Sequence, residues 1–533
     1  MTTPLTQQIT NDAVRVRRVD GRGNGLFATR EIDPKSQVLF IARPLMIGLE
    51  TAKLSTHCYF CYESTRDPIN HIEAFDNVRT LKQCSGFEQK CQTRAWAEYH
   101  KLECKLFRTL HPRVLPSTTR AIVRLLKQHK AVLLLESEWE ELLALESHYD
   151  EMLQAGGRRW QDLFIMMQGI KEYCGTEHSQ DTILRLMCML MVNSFTLTNP
   201  AFESIGMALH PKSALMNHSC DPNVYVRFDI PPTSNAKTLP PYGSISIHAL
   251  RPISRGEEVT MSYVETEVPR DRRQRELKTR YFFDCTCKIC ARGADALVDF
   301  FHLTPDITPP NVRQKLIDPA VRQAGEQAER VLLDLQSKLD ILDTQVPRIK
   351  AAMKLLADTK AWPLYRFPSP QLRQELFLGL LGQQRFFEAM LHSATFVRAI
   401  CPVLYGSQLH PRWLEQTWTL INLGRGILQA VVYKEESVED IRVDVQSLGH
   451  LGCVLIGDTH KMLNEGVKTN GQLEKLFDAA YLEMSAASSA PYQRNPDATR
   501  RHAFAWLDTQ VQELLQQEGV AQDVIQLSFS RRG

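Results

Sequence analysis

Two hydrophobic periodicities divide the chain. Up to about residue 265, short runs alternate apolar and polar positions, the two-residue repeat of half-buried strands. Gly25-Leu26-Phe27-Ala28 leads through the turn residues Asp33-Pro34-Lys35 into Val38-Leu39-Phe40. Farther on, Ile245, Ile247 and Ala249 alternate with polar neighbours, Ser254-Arg255-Gly256 turns, and Val259, Met261 and Tyr263 share one face. The two segments echo each other, since Ala28, Arg30, Ile32 and Val38 recur 221 residues later as Ala249, Arg251, Ile253 and Val259. A third strand, Val224 to Ile230, alternates in the same way. The pattern predicts one β-domain interrupted by insertions, with a chance likeness of two hairpins as the alternative.

The insertions carry helical spacing. From Ala121 to about Cys174, the residues Leu125, Leu126, Leu133, Leu142, Leu143, Leu145 and Met152 fit amphipathic helices. The stretch from Ala294 to Val312, with Pro305, Pro309 and Pro310, reads as a linker. Beyond it Leu376, Leu380, Phe387 and Leu391 keep helical spacing, as do Leu414, Trp418, Ile421 and Leu428. Such stripes predict packed helices to the C-terminus, an array with no visible chemistry of its own.

Composition narrows the picture. With 533 residues, 43% of them hydrophobic and 23% charged, the chain is globular and holds about three or four cores. Its 63 basic and 61 acidic side chains leave a net of +2, which argues against strong non-specific nucleic-acid binding. The basic run Arg270, Arg272, Arg273, Arg275, Lys278 and Arg280 is interrupted by Asp271 and Glu276 and lacks aromatics, so it reads as a solvated helix face. The opening MTTPLTQQITND lacks a charged and then apolar leader, and no run of ~18 apolar residues occurs. A cytosolic or nuclear protein with reduced thiols is expected, so clustered cysteines suggest metal ligands.

Nine of the 13 cysteines have metal-like spacings. Cys285-x-Cys287-x-x-Cys290 places three thiolates close enough to wrap one soft cation, and Cys220, in the turn-rich segment Asn217 to Asn223, is the expected fourth ligand. A second group holds Cys58, Cys61, Cys84, Cys91, His100 and Cys104, six ligands where two zincs need eight. Either His57 or His71 substitutes, or only one site fills. Cys174, Cys188, Cys401 and Cys453 read as small buried hydrophobes. No P-loop, Gly-x-Ser-x-Gly elbow or dinucleotide fingerprint at a strand-helix turn is present.

Several motifs occur in one order: Arg22-Gly-Asn24-Gly-Leu-Phe-Ala, the finger-like cysteines, Glu146-Ser-His148, Asn193-Ser-Phe195-Thr, Asn217-His218-Ser-Cys220, Gly256 to Tyr263, and Tyr281-Phe-Phe283-Asp-Cys285. Together they resemble the SET and MYND domain protein lysine methyltransferases, over approximately residues 14–292 and more loosely through the helical half. That resemblance implies an α+β protein with a β-rich SET domain split into residues 14–50 and 201–265. Between the halves would lie a degenerate MYND-like zinc finger (58–104) and a helical insert (105–200). A post-SET zinc segment (266–292) and an all-α, TPR-like C-terminal domain (312–533) would follow.

The same resemblance implies S-adenosylmethionine and zinc as cofactors and a protein lysine as methyl acceptor. Arg22 and Asn24 would hold the methionyl end of the donor, with His148 and Asn193 nearby; Asn217 and His218 would hold its adenosyl side, and Phe283 would stack on adenine. Tyr263, Tyr281 and Phe195 would line the lysine channel, where negative ring faces stabilise ammonium-like charge. The family's finger carries two further cysteines, and here Phe87 stands at one expected ligand position, so a loosened finger is expected beside a complete SET core. The proline-bearing loop from Ile230 to Tyr242 is expected to be mobile or substrate-facing. A monomer is expected, binding a lysine-bearing substrate and further protein partners through its helical half, away from membranes and nucleic acid. The rival reading is a catalytically silent zinc scaffold for protein interactions.

Overall fold

The computed structural model describes residues 9–10, 13–62, 64, 88–199, 203–229, 243–292, 310–337, 342–405, 408–433, 444–465, 472–486 and 491–529. Cys84, His71, Phe87, the loop 230–242 and most of the linker lie outside the described residues. The chain forms two compact units: Met1–Tyr263 with Arg275–Cys285 and Gly471–Leu473, and Val264–Gln274 with Thr286–Asn470 and Glu474–Gly533.

Three sheets build the first unit. Strands β1 (Ile9–Thr10), β4 (Gln37–Ile41), β10 (Ser244–Ala249) and β9 (Val224–Asp229) form one in the order β1-β4-β10-β9. A second runs β2-β3-β11-β8, from β2 (Val14–Val19), β3 (Gly23–Ala28), β11 (Glu258–Met261) and β8 (Asn217–His218). The third joins β5 (Met46–Leu49), β7 (Ser204–Leu209) and β6 (Phe195–Thr198). Strand β6 thus lies inside the range read as helical insert.

The two echoing hairpins bond to each other. Ile32 and Ile253, which are equivalent at the 221-residue offset, exchange both backbone hydrogen bonds at 3.0 Å. On either side the bonds repeat under exchange of the halves: Ala28 N–H donates to Glu257 O at 2.9 Å, and its equivalent Ala249 N–H donates to Ser36 O at 3.0 Å. Gly256 donates to Ala28 and Lys35 to Ala249, both at 2.8 Å, and both donors have positive φ, 84° for Gly256 and 67° for Lys35. The sequence echo is therefore a local pseudo-twofold that pairs β3 with β11 and β4 with β10. Leu26, Ile32, Val38, Ile41, Ile245, Ile247, Ile253 and Val259 fill the core around it, each worth about 1.5–3 kcal/mol of burial. The alternation in β10 predicts a half-buried strand, yet all six residues are buried, with His248 on the polar face set against the Tyr225 ring at 5.7 Å and the Lys35 carbonyl at 3.1 Å.

Helices Ser117–Lys130, Glu136–Leu143, Tyr149–Ala155, Gly157–Cys174 and Gln180–Asn193 make the insert and bury Ile122, Leu126, Leu142, Leu163 and Met187. Leu133 and Leu143 are exceptions to the predicted apolar stripe, each 48% exposed. Buried Glu103 pairs with Arg124 at 2.8 Å, and the Arg124 guanidinium lies 3.6 Å from the Tyr99 ring centroid and 4.5 Å from that of Tyr59. Truncation in Arg124→Ala would strand a buried carboxylate. We expect a loss of about 3–5 kcal/mol in denaturant unfolding, largely recovered when Glu103→Gln is added.

In the second unit helices run from Pro310 to Phe529. Leu376, Leu380, Leu391, Leu414 and Ile421 are buried as their spacing predicts. Arg373, 1% exposed, spends its guanidinium on Glu518 (2.7 and 3.1 Å) and His392 (2.8 Å). The segment Phe386–Leu404 has a mean hydropathy of 1.2, and 78% of it is buried in this helical core. Arg273 corrects the solvated-face reading of the basic run: it is fully buried, donating to the Val268 carbonyl, because the segment before the helix Arg270–Tyr281 folds its carbonyls back over it.

Candidate functional site

Strand β11 lies parallel to β8, with Met261 opposite His218, and this register sets Tyr263 beside the Asn217-His218 pair. The Tyr263 N–H donates to His218 Nδ1 at 3.0 Å. A neutral imidazole that accepts at Nδ1 carries its proton on Nε2, which stands 3.4 Å from Cys220 Sγ. The Tyr263 hydroxyl donates to the Met216 carbonyl at 2.6 Å, leaving its oxygen lone pairs as acceptors. Burial, then Tyr281 and Glu258, push this phenol far above its ordinary range, so it stays neutral.

Aromatic rings surround this hydroxyl-bearing residue. Tyr281 lies 4.9 Å from Tyr263 between ring centroids, and Phe283 lies 6.4 Å away edge-on at 85°. His218 is 5.3 Å from Tyr263 and 5.9 Å from Phe283. Phe282, in the left-handed region at φ 61°, ends the helix Arg270–Tyr281 and reverses the chain between the two outer rings. Phe195, placed by the sequence in the same channel, sits on β6 against the hydrophobic core, and among the described residues no ring contact joins it to Tyr263.

Polar groups gather at the β2–β3 turn, made by Gly21 and Gly23 at φ 71°. Arg22 Nη2 lies 2.9 Å from Glu258 Oε2, while Asn217 Nδ2 donates to Glu258 Oε1 at 2.8 Å and to the Asn24 carbonyl at 3.3 Å. A Cβ on Gly25 would meet Glu258 Oε1 at 2.8 Å and Asn217 Nδ2 at 2.9 Å, so a side chain here would push the two groups aside. Asn193 donates to the Glu146 carbonyl at 2.7 Å and to Met189 O at 2.8 Å, tying its helix to the segment that carries His148. His148, at φ 48°, lies 5.2 Å from Phe282 between ring centroids, tilted at 40°.

Two residues escaped the sequence reading. Buried Asn223 bonds the Glu257 carboxylate (3.1 Å), the Glu258 carbonyl (2.8 Å) and the Thr260 N–H (2.8 Å), lacing the 217–223 loop to β11. Glu258 faces Arg22 and Asn217. The Gly256-Glu257-Glu258 run was its one signal, and strand alternation separates the roles of its two acids.

The sulfurs of Cys220, Cys285, Cys287 and Cys290 lie within 4.8 Å of one another, three of them buried and Cys287 half-buried. Four thiols so gathered fit a closed tetrahedral zinc site. In the range read as a finger, Cys58, Cys61 and Cys91 converge within the same distance, all buried, while His100 and Cys104 stand outside that group. His100 Nδ1 faces Glu103 Oε1 at 3.7 Å, and among the described residues its buried Nε2 has no hydrogen-bond partner, the disposition of a histidine oriented by a carboxylate toward a metal. His57 turns Nδ1 to Thr56 Oγ1 at 2.9 Å.

Residues 23–264 match the family profile of the SET domain. Over 270 residues the chain is 28% identical to the SET domain and MYND-type zinc finger protein 6 of Schizosaccharomyces pombe, covering 50% of each chain. Against the histone-lysine N-methyltransferase SMYD3 of Homo sapiens it is 28% identical over 275 residues, 50% of this chain and 59% of that one. Against the N-lysine methyltransferase SMYD2-B of Xenopus laevis it is 28% identical over 303 residues, 56% and 65% of the two chains. The matches therefore span between 50% and 65% of these relatives' lengths.

Proposed function

We propose that this chain, which carries a SET domain of the SET and MYND type, transfers a methyl group from S-adenosylmethionine to the side-chain amine of a lysine in a protein substrate. The observation that carries the reading is the half-buried Tyr263 hydroxyl, its proton committed to Met216 O, within a cluster of Tyr281, Phe283 and His218. Such a site suits a reaction whose charge is positive throughout: aromatic faces attract the cation, and a fixed oxygen accepts from the amine.

When bound, S-adenosylmethionine supplies an electrophilic methyl on a positively charged sulfur. Tyr263 accepts one amine N–H and aims the nitrogen lone pair in line, at roughly 3–3.5 Å from the carbon it attacks. A free lysine has a pKa of about 10.4, so the amine sheds its proton to water before attack, and the apolar rings favour the neutral form. Arg22 grips the donor's carboxylate through charge-assisted bonds, Asn217 and His218 bind toward its nucleoside, and Phe283 offers a face to the base. The helical second unit is the proposed surface for protein partners, and the target proteins are nuclear or cytosolic.

Calorimetric titration with S-adenosylmethionine, paired with radiolabelled methyl transfer into cell-extract proteins, tests the proposal. We expect saturable binding and label on lysine, with transfer reduced about tenfold or more in Asn217→Ala, which loses two hydrogen bonds. Absence of binding in the wild type, or equal labelling by both proteins, would overturn it.

A further inference from the structure

We infer that Glu258 is a positioning residue for the methyl donor, holding Arg22 in place for the donor's amino-acid end through one oxygen while the other accepts from Asn217 on the nucleoside side. The inference rests on the donor reading above and adds to it a residue that touches neither the reacting carbon nor the acceptor nitrogen.

Three chain segments meet at this carboxylate. Arg22 comes from the β2–β3 turn, Asn217 from β8 and Glu258 from β11, and each Glu258 oxygen serves one partner, at 2.9 and 2.8 Å. The exposures are unequal: the Glu258 side chain is 15% exposed and that of Arg22 47%. The acid is therefore the anchored member and the arginine the tethered one. An untethered guanidinium on a surface turn samples many rotamers, and binding through it must first order it. Glu258 does that ordering in advance.

Arg22 still has donors to spare. A guanidinium presents five N–H groups in a planar fork, and the contact with Glu258 engages one Nη2 hydrogen, leaving the others for a second carboxylate. The negative Glu258 thus does not saturate the arginine. Gly25 leaves room for the pair, since a Cβ there would come within 2.8 Å of Glu258 Oε1 and 2.9 Å of Asn217 Nδ2. The Asn24 carbonyl, accepting from Asn217 at 3.3 Å, closes the circuit back to the turn that bears Arg22.

Two ligands separate positioning from mere structure. S-Adenosylmethionine carries the amino-acid end, whereas 5′-methylthioadenosine shares the nucleoside and lacks that end. In Glu258→Gln, with melting temperature checked first, we expect the Kd for S-adenosylmethionine to rise about tenfold and that for 5′-methylthioadenosine to change less than about twofold. Placed in an Arg22→Met background, Glu258→Gln should add almost nothing, since its effect passes through the arginine. Glu258→Asp keeps the charge on a shorter arm and should fall between. Equal weakening of both ligands, tighter donor binding, or full additivity with Arg22→Met would each overturn the inference. Failure of the wild type to bind either ligand would instead sink the donor reading on which it rests.

Discussion

Tyr263→Phe is expected to bind S-adenosylmethionine almost as the wild type does and to transfer methyl groups about 10²–10³-fold more slowly. The substitution keeps the ring, and with it the contacts to Tyr281, Phe283 and His218. What disappears is one oxygen, the group proposed to orient the acceptor nitrogen. The Tyr263 N–H bond to His218 belongs to the backbone and survives. The Met216 carbonyl loses its donor, a cost of about 1–3 kcal/mol in stability that a melting curve will register separately. Single-turnover kinetics at saturating donor distinguish the two effects, because a folding defect lowers the active fraction and leaves the rate constant of the remainder unchanged. A rate constant within a factor of about three of wild type would exclude Tyr263 from the chemistry.

The second large effect is expected at the cysteine quartet. Structural zinc contributes about 10–16 kcal/mol to small isolated fingers, so its loss here should be among the most damaging single changes to the fold. Cys285→Ser should remove one zinc per chain in native mass spectrometry, and a strong chelator should lower the melting temperature of the wild type toward that of the variant. The damage should reach donor binding as well. His218 Nε2 approaches Cys220 Sγ at 3.4 Å while Nδ1 accepts from Tyr263. A thiolate held by metal is a fixed acceptor for that N–H and keeps the ring turned toward Tyr263; a free thiol swings. Unchanged zinc content in Cys285→Ser would remove the quartet from the account.

Much of the first unit was legible from residues alone. Alternation located β3, β4, β9, β10 and β11, and the repeated Ala-Arg-Ile-Val spacing pointed to one interrupted β-domain. Cysteine spacing located three of the quartet, because thiols two and three residues apart can wrap one cation. The misses have physical causes. Arg273 was assigned to solvent because charge patterning on a helix records composition and is blind to carbonyls arriving from a preceding loop. The polar positions of β10 were assigned to a wet face because alternation cannot tell an edge strand from a central one. Glu258 was passed over because its partners lie 236 and 41 residues away, which no local pattern encodes. Of the ligands grouped by spacing in the second cluster, Cys58, Cys61 and Cys91 converge in the fold.

The pseudo-twofold around Ile32 and Ile253 makes the domain a buckle whose two ends lie far apart on the strap. Entropy penalises closing such a loop only logarithmically, by about 0.6 kcal/mol for each doubling of its length, so the material threaded between the ends can lengthen, shorten or be exchanged with little effect on the fastened state. Its burden falls on kinetics, because the buckle shuts only after the whole strap has been made and its ends have met, so folding should be slow even where the final product is stable.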